Sequence, residues 1–574
     1  MLIALVPGWG GGGWLAEVDA AGAVAGPVRW YAESAVLARA VAERERADRP
    51  RWLWPTAAAV YPALLRAGVR VERCHDLELV EALLNGYDGQ WGAPKSLASA
   101  LARVRGLPVP EDPPPRARDV QASLFAMDAG PTAEGDPVAD VAEVYRAQLR
   151  RVAALERPDR FRLLIAAESA GALAAAEMGH DGLPWSAERH DALLSTMLGP
   201  RPLPGDLPVR LHELAAEVRD AFGGVKVNPD APADVVRAFG RAGIQIPSTR
   251  SWVLKRVEHP AVAPILAYKE LSRLFAANGW AWQDTWVAGG RMRPEFVPGG
   301  VVSGRWATRG GAALQLPKIV RQAVVADPGH VLVVADAAAL EPRVLAAMSG
   351  DRKLAEFAAA GDLYTALATD AFDHDRARAK LGMLGALYGQ TSGEGGRLAH
   401  VLRRRFPEAL ATVDAAARAG EEGRLVRSFL GRTCPPAGAS FEVTAVTGEG
   451  SPTGASEGSG GDGPGGDGPG DPEARDRARR AARGRFTRNF VVQATAAEWA
   501  LILVAGLRRR LYPTEARLVF FQHDEVVVHC RQEVADDVRD AVVASAEEAR
   551  TLLFGPTPVR FPLDLAVVTS YADA

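Results

Sequence analysis

Two strongly apolar segments that carry carboxylates constrain the fold of this 574-residue chain more than any other feature. Residues 331–336 form a β-branched run that ends on Asp336, and a helical pattern follows this run. Residues 518–530 place the polar group 522–525 between two apolar runs. This second pattern predicts a β-hairpin with Asp524 and Glu525 at its tip.

The positions of these acids suggest a cation site, although each acid also has a simpler interpretation. An aspartate after a strand is often only a helix cap, and a hairpin tip is often simply polar. Adjacent acids repel each other, however, and a cation would offset that repulsion. If Asp336 and Asp524 meet on neighbouring strands, two Mg²⁺ ions can clamp the oxygens of a phosphoryl transfer. A zinc site built from His523, His529 and Cys530 lacks the ligand spacing typical of zinc.

A third segment places Arg376, Lys380, Leu384 and Tyr388 four residues apart, which puts them on one helix face. This face spans about 18 Å, enough for cations on a triphosphate at one end and a ring against a base at the other. The alternative is an ordinary amphipathic helix whose Leu and Tyr lie in the core. Net charges of +6 over residues 376–432 and +8 over 475–510 favour a phosphate-binding groove.

Composition limits the class of protein. With 48% hydrophobic residues the chain can form large cores, and a net charge of −3 argues against a uniformly basic nucleic-acid coat protein. Three cysteines cannot form a disulfide framework, and they indicate a reducing compartment. The N-terminus lacks a basic secretory signal, and the apolar stretches are too polar to cross a membrane. We therefore expect a cytoplasmic protein.

Local patterns divide the chain into segments. Residues 1–150 form one unit with strands at 2–6 and 51–54 and helices at 56–67 and 77–84. A mainly helical region follows, up to about residue 290. We expect surface linkers at 107–116 and 129–137. Residues 448–470 contain 11 glycines and predict a flexible loop.

Taken together, the carboxylate segments and the basic helix resemble the family A DNA polymerases, the bacterial DNA polymerase I class. Residues 334–343 resemble motif A of that family, 376–389 resemble motif B on the fingers helix, and 522–525 resemble motif C. Two further segments, 303–305 and 485–497, resemble other parts of the family pattern. The order of these segments along the chain also agrees with the family.

The resemblance covers about residues 155–574 and implies a multidomain fold of α/β and α+β type. It predicts a right-hand polymerase domain over 151–574, with a thumb at about 155–300 and a palm and fingers at about 300–574. Residues 1–150 take the position of an N-terminal RNase H-like domain of the 3′–5′ exonuclease type. We expect a large-fragment architecture without a 5′-nuclease domain.

The resemblance also implies roles for individual residues. Asp336 and Asp524 would bind two Mg²⁺ ions with Glu525 close by, and Lys380 would protonate the leaving pyrophosphate. Glu341 and Tyr388 would close the pocket around the sugar. The residues expected to bind the nucleotide are Arg376, Lys380, Leu384, Tyr388, Glu341 and Tyr364. Those expected to bind primer-template DNA are Arg305, Arg485, Asn489, Gln493 and His523.

The implied activity is template-directed addition of dNTPs to a primer 3′ end, in DNA replication or repair, by a monomer without membrane association. The chain departs from the family pattern at the three alanines 337–339, at Leu384, at Tyr364 and at Ala494. These departures leave open a DNA-binding protein on a polymerase scaffold with little catalytic activity. A two-metal nuclease would give Lys380 and Tyr388 no role.

The N-terminal unit lacks the acids that a two-metal exonuclease requires. Its first strand, residues 2–6, carries no acid, and Tyr61 stands where the family has an aspartate. Asp76 and Asp140 remain, but a few scattered carboxylates cannot hold two metals. We interpret Asp76 as a helix cap and expect this unit not to degrade DNA.

Overall fold

The computed structural model describes residues 1–114, 136–311, 313–390, 392–436 and 472–574. These residues form two compact units. The first contains Met1–Asp181, Glu295–Thr308 and Val333–Val567, and the second contains Gly182–Pro294, Arg309–Leu332 and Val568–Ala574. The glycine-rich segment 448–470 and most of the linker expected at 129–137 lie outside the described residues. The domain boundaries at about 150 and 300 stay predictions.

The first unit begins with a five-stranded sheet in the order β3-β2-β1-β4-β5. β1–β2 and β2–β3 are antiparallel, whereas β1–β4 and β4–β5 are parallel. The predicted strands at 2–6 and 51–54 and the predicted helices at 56–67 and 77–84 are confirmed. The strands are β1 Leu2–Pro7, β2 Gly13–Val18, β3 Arg29–Tyr31, β4 Arg51–Trp54 and β5 Arg73–Asp76. The helices are α1 Ser34–Asp48, α2 Ala57–Arg66, α3 Leu77–Tyr87, α4 Leu97–Arg105, α5 Pro137–Ala153 and α6 Pro158–Asp181.

Both faces of this sheet are buried, because successive side chains of β1 point to opposite sides and all are apolar. Ile3 and Leu5 belong to one core cluster, which also includes Leu173 of α6. Ala4 and Val6 belong to the other cluster, which also includes Val141 of α5.

The second unit is mainly helical, as the sequence pattern up to about residue 290 predicts. Its core includes Val218, Phe239 and Ile265, and the Phe222 and Phe239 rings meet edge to face. A small sheet has the order β6-β8-β7. The helices are α7 Ala187–Leu198, α8 Val209–Ala221, α9 Pro232–Arg241, α10 Ser251–Leu254, α11 Val262–Asn278 and α12 Trp280–Trp286. The strands are β6 Leu183–Pro184, β7 Val287–Ala288 and β8 Arg291–Met292.

A four-stranded sheet in the order β12-β13-β11-β14 follows. The predicted strand at 331–336 and the predicted hairpin at 518–530 are confirmed. The strands of this part of the chain are β9 Glu295–Val297, β10 Ala307–Arg309, β11 His330–Ala337, β12 Arg517–Gln522, β13 Glu525–Arg531 and β14 Leu563–Val568. The helices are α13 Leu340–Ser349, α14 Arg352–Ala359, α15 Leu363–Ala371, α16 Arg376–Tyr388, α17 Gly393–Arg405, α18 Pro407–Glu421, α19 Pro472–Leu511 and α20 Ala535–Phe554.

The hairpin tip differs from the prediction in one respect. Gln522 pairs with Glu525 across the hairpin, so the turn contains only His523 and Asp524. His523 adopts a left-handed conformation with φ +57°, which permits the tight two-residue connection. Glu525 therefore begins strand β13 and does not lie at the tip beside Asp524.

Helix α19 passes through the core of the first unit. Over an 18-residue window its mean hydropathy is 1.7, so by length and composition it is a candidate membrane span. The expectation that the apolar stretches are too polar to cross a membrane is therefore wrong for this helix. However, 83% of that window is buried inside the protein. Such burial is typical of a core helix.

A buried ionic network joins α19 to α6 and to the N-terminal sheet. The Arg508 guanidinium donates to Glu177 Oε2 at 2.9 Å and to Oε1 at 2.6 Å. It also donates to the backbone oxygens of Val71 and Glu72. Tyr61 donates its hydroxyl hydrogen to Glu177. Burial alone would raise the pKa of Glu177, but the charge of Arg508 holds it below its usual value.

We expect Glu177→Gln to destabilise the protein strongly. The substitution leaves the Arg508 guanidinium buried without its counter-charge, and breaking such a pair lowers the free energy of unfolding by about 3–5 kcal/mol. Urea unfolding should be compared with Asp159→Asn on the same helix. That substitution removes an exposed pair with Arg162 and should change stability by less than about 1 kcal/mol. Equal effects of the two substitutions would contradict a stabilising network at Arg508.

Candidate active site

Asp336 and Asp524 are brought together by neighbouring strands. Asp336 is the penultimate residue of β11, and Asp524 lies in the turn before β13, the strand beside β11. The Ala337 backbone N–H donates to the Asp524 carbonyl oxygen at 3.2 Å. Burial, together with the charge of Asp336, raises the pKa of Asp524 to about 7. The two carboxylates therefore repel each other in a site that water solvates poorly.

Asp336 does not cap the helix that follows it. Helix α13 begins at Leu340, and its N-cap residue is Ala339, which has a left-handed φ of +53° and no side chain that could accept a hydrogen bond. A left-handed alanine is uncommon and strained. The helix-cap interpretation of Asp336 is therefore wrong, and its carboxylate faces a cavity.

This cavity has a volume of about 250 Å³ and contains most of the predicted site residues. Nine of them line it: Arg305, Asp336, Glu341, Tyr364, Lys380, Leu384, Tyr388, His523 and Asp524. The remaining lining residues were not predicted as site residues, and they are small or apolar: Ala337, Ala339, Leu340, Pro342, Ala496 and Ala497. Arg376, Arg485, Asn489, Gln493 and Glu525 are absent from this lining.

Glu341 is held at both carboxylate oxygens. Arg305 donates to Oε1 at 2.6 Å, and the Tyr388 hydroxyl donates to Oε2 at 2.9 Å. Burial and the Glu341 charge raise the pKa of Tyr388 well above its usual value, so its phenol keeps the proton that it donates. The result is a fixed chain of three side chains from three separate segments.

Helix α16 presents one face to the cavity. Its buried residues include Ala379, Met383 and Leu387, whereas Leu384 and Tyr388 are half-buried at the cavity wall. Leu384 and Tyr388 are therefore not core residues, as the amphipathic alternative would have them, although Arg376 and Lys380 are exposed as that alternative expects.

The two basic residues of this face differ in their contacts. Lys380 is exposed, and among the described residues its ammonium makes no hydrogen bond or ion pair. At the N-terminal end of the helix, Arg376 donates to Asp362 at 2.8 Å and lies over the Tyr364 ring, 5.6 Å from its centroid. Burial would raise the pKa of Asp362, but this contact with Arg376 helps to lower it to about 2.

Three further predicted residues follow the surface of α19 at four-residue spacing. Arg485 is exposed, and Asn489 and Gln493 are half-buried. The Asn489 amide oxygen is buried and accepts no hydrogen bond within the described ranges. Gln493 reaches the Tyr388 hydroxyl, which connects this row to the cavity.

Sequence patterns assigned no role to Arg343, a buried residue of α13. Its guanidinium donates to the carbonyl oxygens of Ala338 at 2.9 Å, Ala358 at 2.6 Å, Gly361 at 2.6 Å and Arg560 at 2.9 Å. These bonds tie the segment after Asp336 to two other parts of the chain, residues 358–361 and Arg560. Sequence spacing carries no signal for such contacts with backbone oxygens.

The donor set fits a hard divalent cation. Two carboxylates that repel each other in a poorly solvated cavity are stabilised by a cation, and oxygen ligands suit Mg²⁺ and similar ions. Within the part of the chain that the structure describes, no three His, Cys, Asp or Glu side chains group around one point. The zinc alternative at His523, His529 and Cys530 is therefore wrong, and a cation at Asp336 and Asp524 needs further ligands from water or substrate.

We expect Asp524→Asn to stabilise the cation-free protein at neutral and higher pH. The carboxyl has a pKa of about 7 when folded, against about 3.9 when unfolded, so wild-type stability falls as the pH rises between these values. The variant lacks this loss. It should gain up to about 4 kcal/mol at about pH 8, the value of a shift of about three pKa units, and almost nothing at about pH 4.

Urea unfolding in the presence of a chelator measures this difference. The control is Asp540→Asn on α20, where the side chain is exposed and its substitution should change stability by less than about 0.5 kcal/mol. A variant less stable than the wild type at about pH 8 would contradict the repulsion between Asp336 and Asp524.

Comparisons with known proteins bear on this site. The model of DNA polymerase family A matches residues 205–572. The thermostable DNA polymerase I of Thermus aquaticus is 29% identical over 338 residues, which are 56% of this chain and 37% of that protein. The corresponding Thermus thermophilus enzyme is 29% identical over 346 residues, again 56% and 37%. The matched region thus spans little more than a third of these curated relatives.

A solved structure resembles almost the whole chain. It is the polymerase domain of Pol1 from M. smegmatis in complex with a DNA primer-template and dNTP. The TM-score is 0.69, and the match covers 99% of this chain and 95% of that one at 17% identity. At this identity the likeness shows the fold, and the fold agrees with the family match over residues 205–572. The chain belongs to DNA polymerase family A.

Proposed function

We propose that this chain is a template-directed DNA polymerase that adds dNTPs to a primer 3′ end. One observation carries the proposal: Asp336 and Asp524 share a single cavity with Lys380 and with the Glu341–Tyr388 pair. Carboxylates for cations, an ammonium for phosphate and a fixed carboxylate beside an aromatic ring are the groups that nucleotidyl transfer requires. The relatives named DNA polymerase I, and the neighbour bound to primer-template and dNTP, support this assignment.

The two aspartates would hold divalent metal ions, which polymerases of this family use, and we propose Mg²⁺ as the natural ion. When bound, the ions polarise the α-phosphate and lower the pKa of the primer hydroxyl. Asp336, on β11, and Asp524, in the turn before β13, would contribute the oxygen ligands. Because the strand pairing sets their separation before substrate arrives, little reorganisation is needed during the reaction.

Lys380 is placed to act on the phosphates of the nucleotide. Lys380 lines the cavity. Among the described residues its ammonium makes no hydrogen bond or ion pair that a phosphate would have to displace. It can donate hydrogen bonds to the triphosphate and transfer a proton to the leaving pyrophosphate. Arg376 can bind a phosphate oxygen only after it has released its contact with Asp362.

The Glu341–Tyr388 pair would close the pocket around the sugar. Because Arg305 and Tyr388 hold both oxygens of Glu341, the carboxylate cannot rotate away from an incoming 2′-hydroxyl. Steric exclusion by a fixed group selects deoxyribonucleotides more strongly than a mobile side chain does. Arg485, Asn489, Gln493 and His523 would contact primer-template DNA around this pocket.

A DNA-binding protein without catalysis is the second candidate, and the alanines at 337–339 favour it. Two of them, Ala337 and Ala339, line the cavity, where they offer no polar group to a substrate. The carboxylates and Lys380 are nevertheless present, and a pure binding protein gains nothing from the repulsion between Asp336 and Asp524. We therefore favour the polymerase.

Primer extension on a defined template separates the two candidates. We expect the wild type to add the nucleotide complementary to each template base in the presence of Mg²⁺. Asp336→Asn should abolish extension but leave DNA affinity within about twofold, because contacts to phosphate supply most of the affinity. Asp540→Asn, an exposed substitution on α20, is the control. Tight DNA binding by a wild type that does not extend primers would favour the binding protein.

We further propose that the N-terminal sheet is an RNase H-like domain of the exonuclease type that has lost its activity. The strand order β3-β2-β1-β4-β5 and its mixed pairing support the fold. Three acids of this unit have structural partners. Asp76 is buried and accepts hydrogen bonds from the backbone N–H groups of Leu79 and Ala57, which makes it the predicted helix cap. Glu17 pairs with Arg44, and Asp140 pairs with Arg105.

The protein should therefore not shorten a primer. Without dNTPs, a primer with a 3′ mismatch incubated with Mg²⁺ should keep its length over a time in which the wild type completes extension of a matched primer. Asp524→Asn serves as the control, because it separates nuclease activity from reversal of polymerisation. Shortening that persists in this variant would show that the N-terminal domain is an active nuclease.

A further inference from the structure

Arg432 lies outside the cavity, yet it packs directly against the segment that supplies Arg305. Its side chain is only 11% exposed and forms an ion pair with Glu168 of α6, whose side chain is 2% exposed. Its backbone N–H donates to Ser428 Oγ at 2.8 Å, and Ser428 in turn donates to Glu498 of α19. Two long helices thus fix the position of Arg432.

The guanidinium of Arg432 occupies the space where residue 304 would carry a side chain. Gly304 has a φ of +85°, and a Cβ built on it would lie 2.6 Å from Arg432 Cζ. Gly304 closes a turn in which its N–H donates to the Val301 carbonyl at 2.7 Å. The Val301 N–H donates to the Arg305 carbonyl at 3.0 Å. Arg432 therefore supports the turn that ends at Arg305.

The orientation of the Arg305 side chain affects the cavity, because Arg305 is one of the two groups that hold the Glu341 carboxylate. Its Nη2 donates to Glu341 Oε1 at 2.6 Å, and the other oxygen accepts from Tyr388. A contact of this length tolerates little movement of the turn. A shift of about 1 Å in a positioning group can lower a rate by on the order of 100-fold.

We infer that Arg432 is a positioning residue for nucleotide addition: it fixes the 301–305 turn and, through Arg305, the Glu341–Tyr388 pair. The inference rests on the proposed polymerase function. Glu168 and Arg432 would then help to select and orient the nucleotide, although neither residue lines the cavity. The alternative is that the Glu168–Arg432 pair only stabilises the fold.

The test uses variants in which both charges of a buried pair are removed, because a single deletion would leave an uncompensated charge. The pair Arg432→Met with Glu168→Met is compared with Arg508→Met with Glu177→Met, a second buried pair between α6 and another segment. Both variants are assayed below their unfolding temperatures. Single-nucleotide extension gives kcat and KM for dNTP, and parallel reactions give the ratio of ribonucleotide to deoxyribonucleotide incorporation.

We expect only the Arg432 variant to lower kcat/KM, by on the order of 10-fold to 100-fold, and to raise the ribonucleotide ratio. Arg432→Lys, which keeps the charge toward Glu168, should recover part of the loss. In an Arg305→Ala background, removing the Arg432 pair should change kcat/KM by less than about twofold, because both changes act through one contact. A loss as large as in the wild-type background would overturn the inference.

A second measurement distinguishes failure of this inference from failure of the proposed function. If the wild type does not extend primers at all, the proposed function fails. The inference is then decided by a crystal structure of the Arg432→Met, Glu168→Met variant. Loss of the Arg305–Glu341 contact supports it, and an unchanged contact with an unchanged turn overturns it.

Discussion

The pairing of strand β13 beside strand β11 is the constraint on which the rest of the site depends. It forces the carboxylates of Asp336 and Asp524 together where water solvates them poorly, so that burial and repulsion raise the pKa of Asp524 to about 7. A protein gains no stability from such an arrangement, and apolar packing around the sheet has to offset it. The apolar residues of β12, β13 and the buried part of α19 supply that packing.

Helix α6 contacts both the N-terminal sheet and the region around the 301–305 turn, which belong to the first unit. It carries two buried glutamates, each with an arginine partner: Glu177 pairs with Arg508 of α19, and Glu168 pairs with Arg432 beside the 301–305 turn. Through the first pair the N-terminal sheet is fixed to α19, and through the second the turn that presents Arg305 is fixed to α6. The N-terminal sheet therefore has a structural role that needs no nuclease activity, because its core is continuous with the helix that supports the site.

Much of this arrangement could be predicted from the sequence, because local patterns determine it. Alternation and β-branching located β11 and the 517–531 hairpin, and the four-residue spacing located the face of α16. Contacts that depend on packing were not predictable. Nothing near Arg432 or Glu168 in the sequence indicates their pairing. The sequence also did not show that the turn would contain only two residues, which places Glu525 on strand β13. The left-handed Ala339 also lacks a local signal, since alanine normally avoids that conformation. The glycine-rich segment 448–470 lies outside the described residues, so its expected flexibility stays a prediction.

We propose that Asp336 and Asp524 hold the divalent cations of a nucleotidyl transfer. Anomalous diffraction from crystals grown with primer-template DNA, a non-hydrolysable dNTP analogue and Mn²⁺ tests it most directly. We expect two anomalous peaks about 3.5–4 Å apart, both within ligand distance of these two carboxylates, and fewer peaks in crystals of Asp524→Asn. An ordered nucleotide in the cavity with no anomalous peak at either aspartate would contradict it.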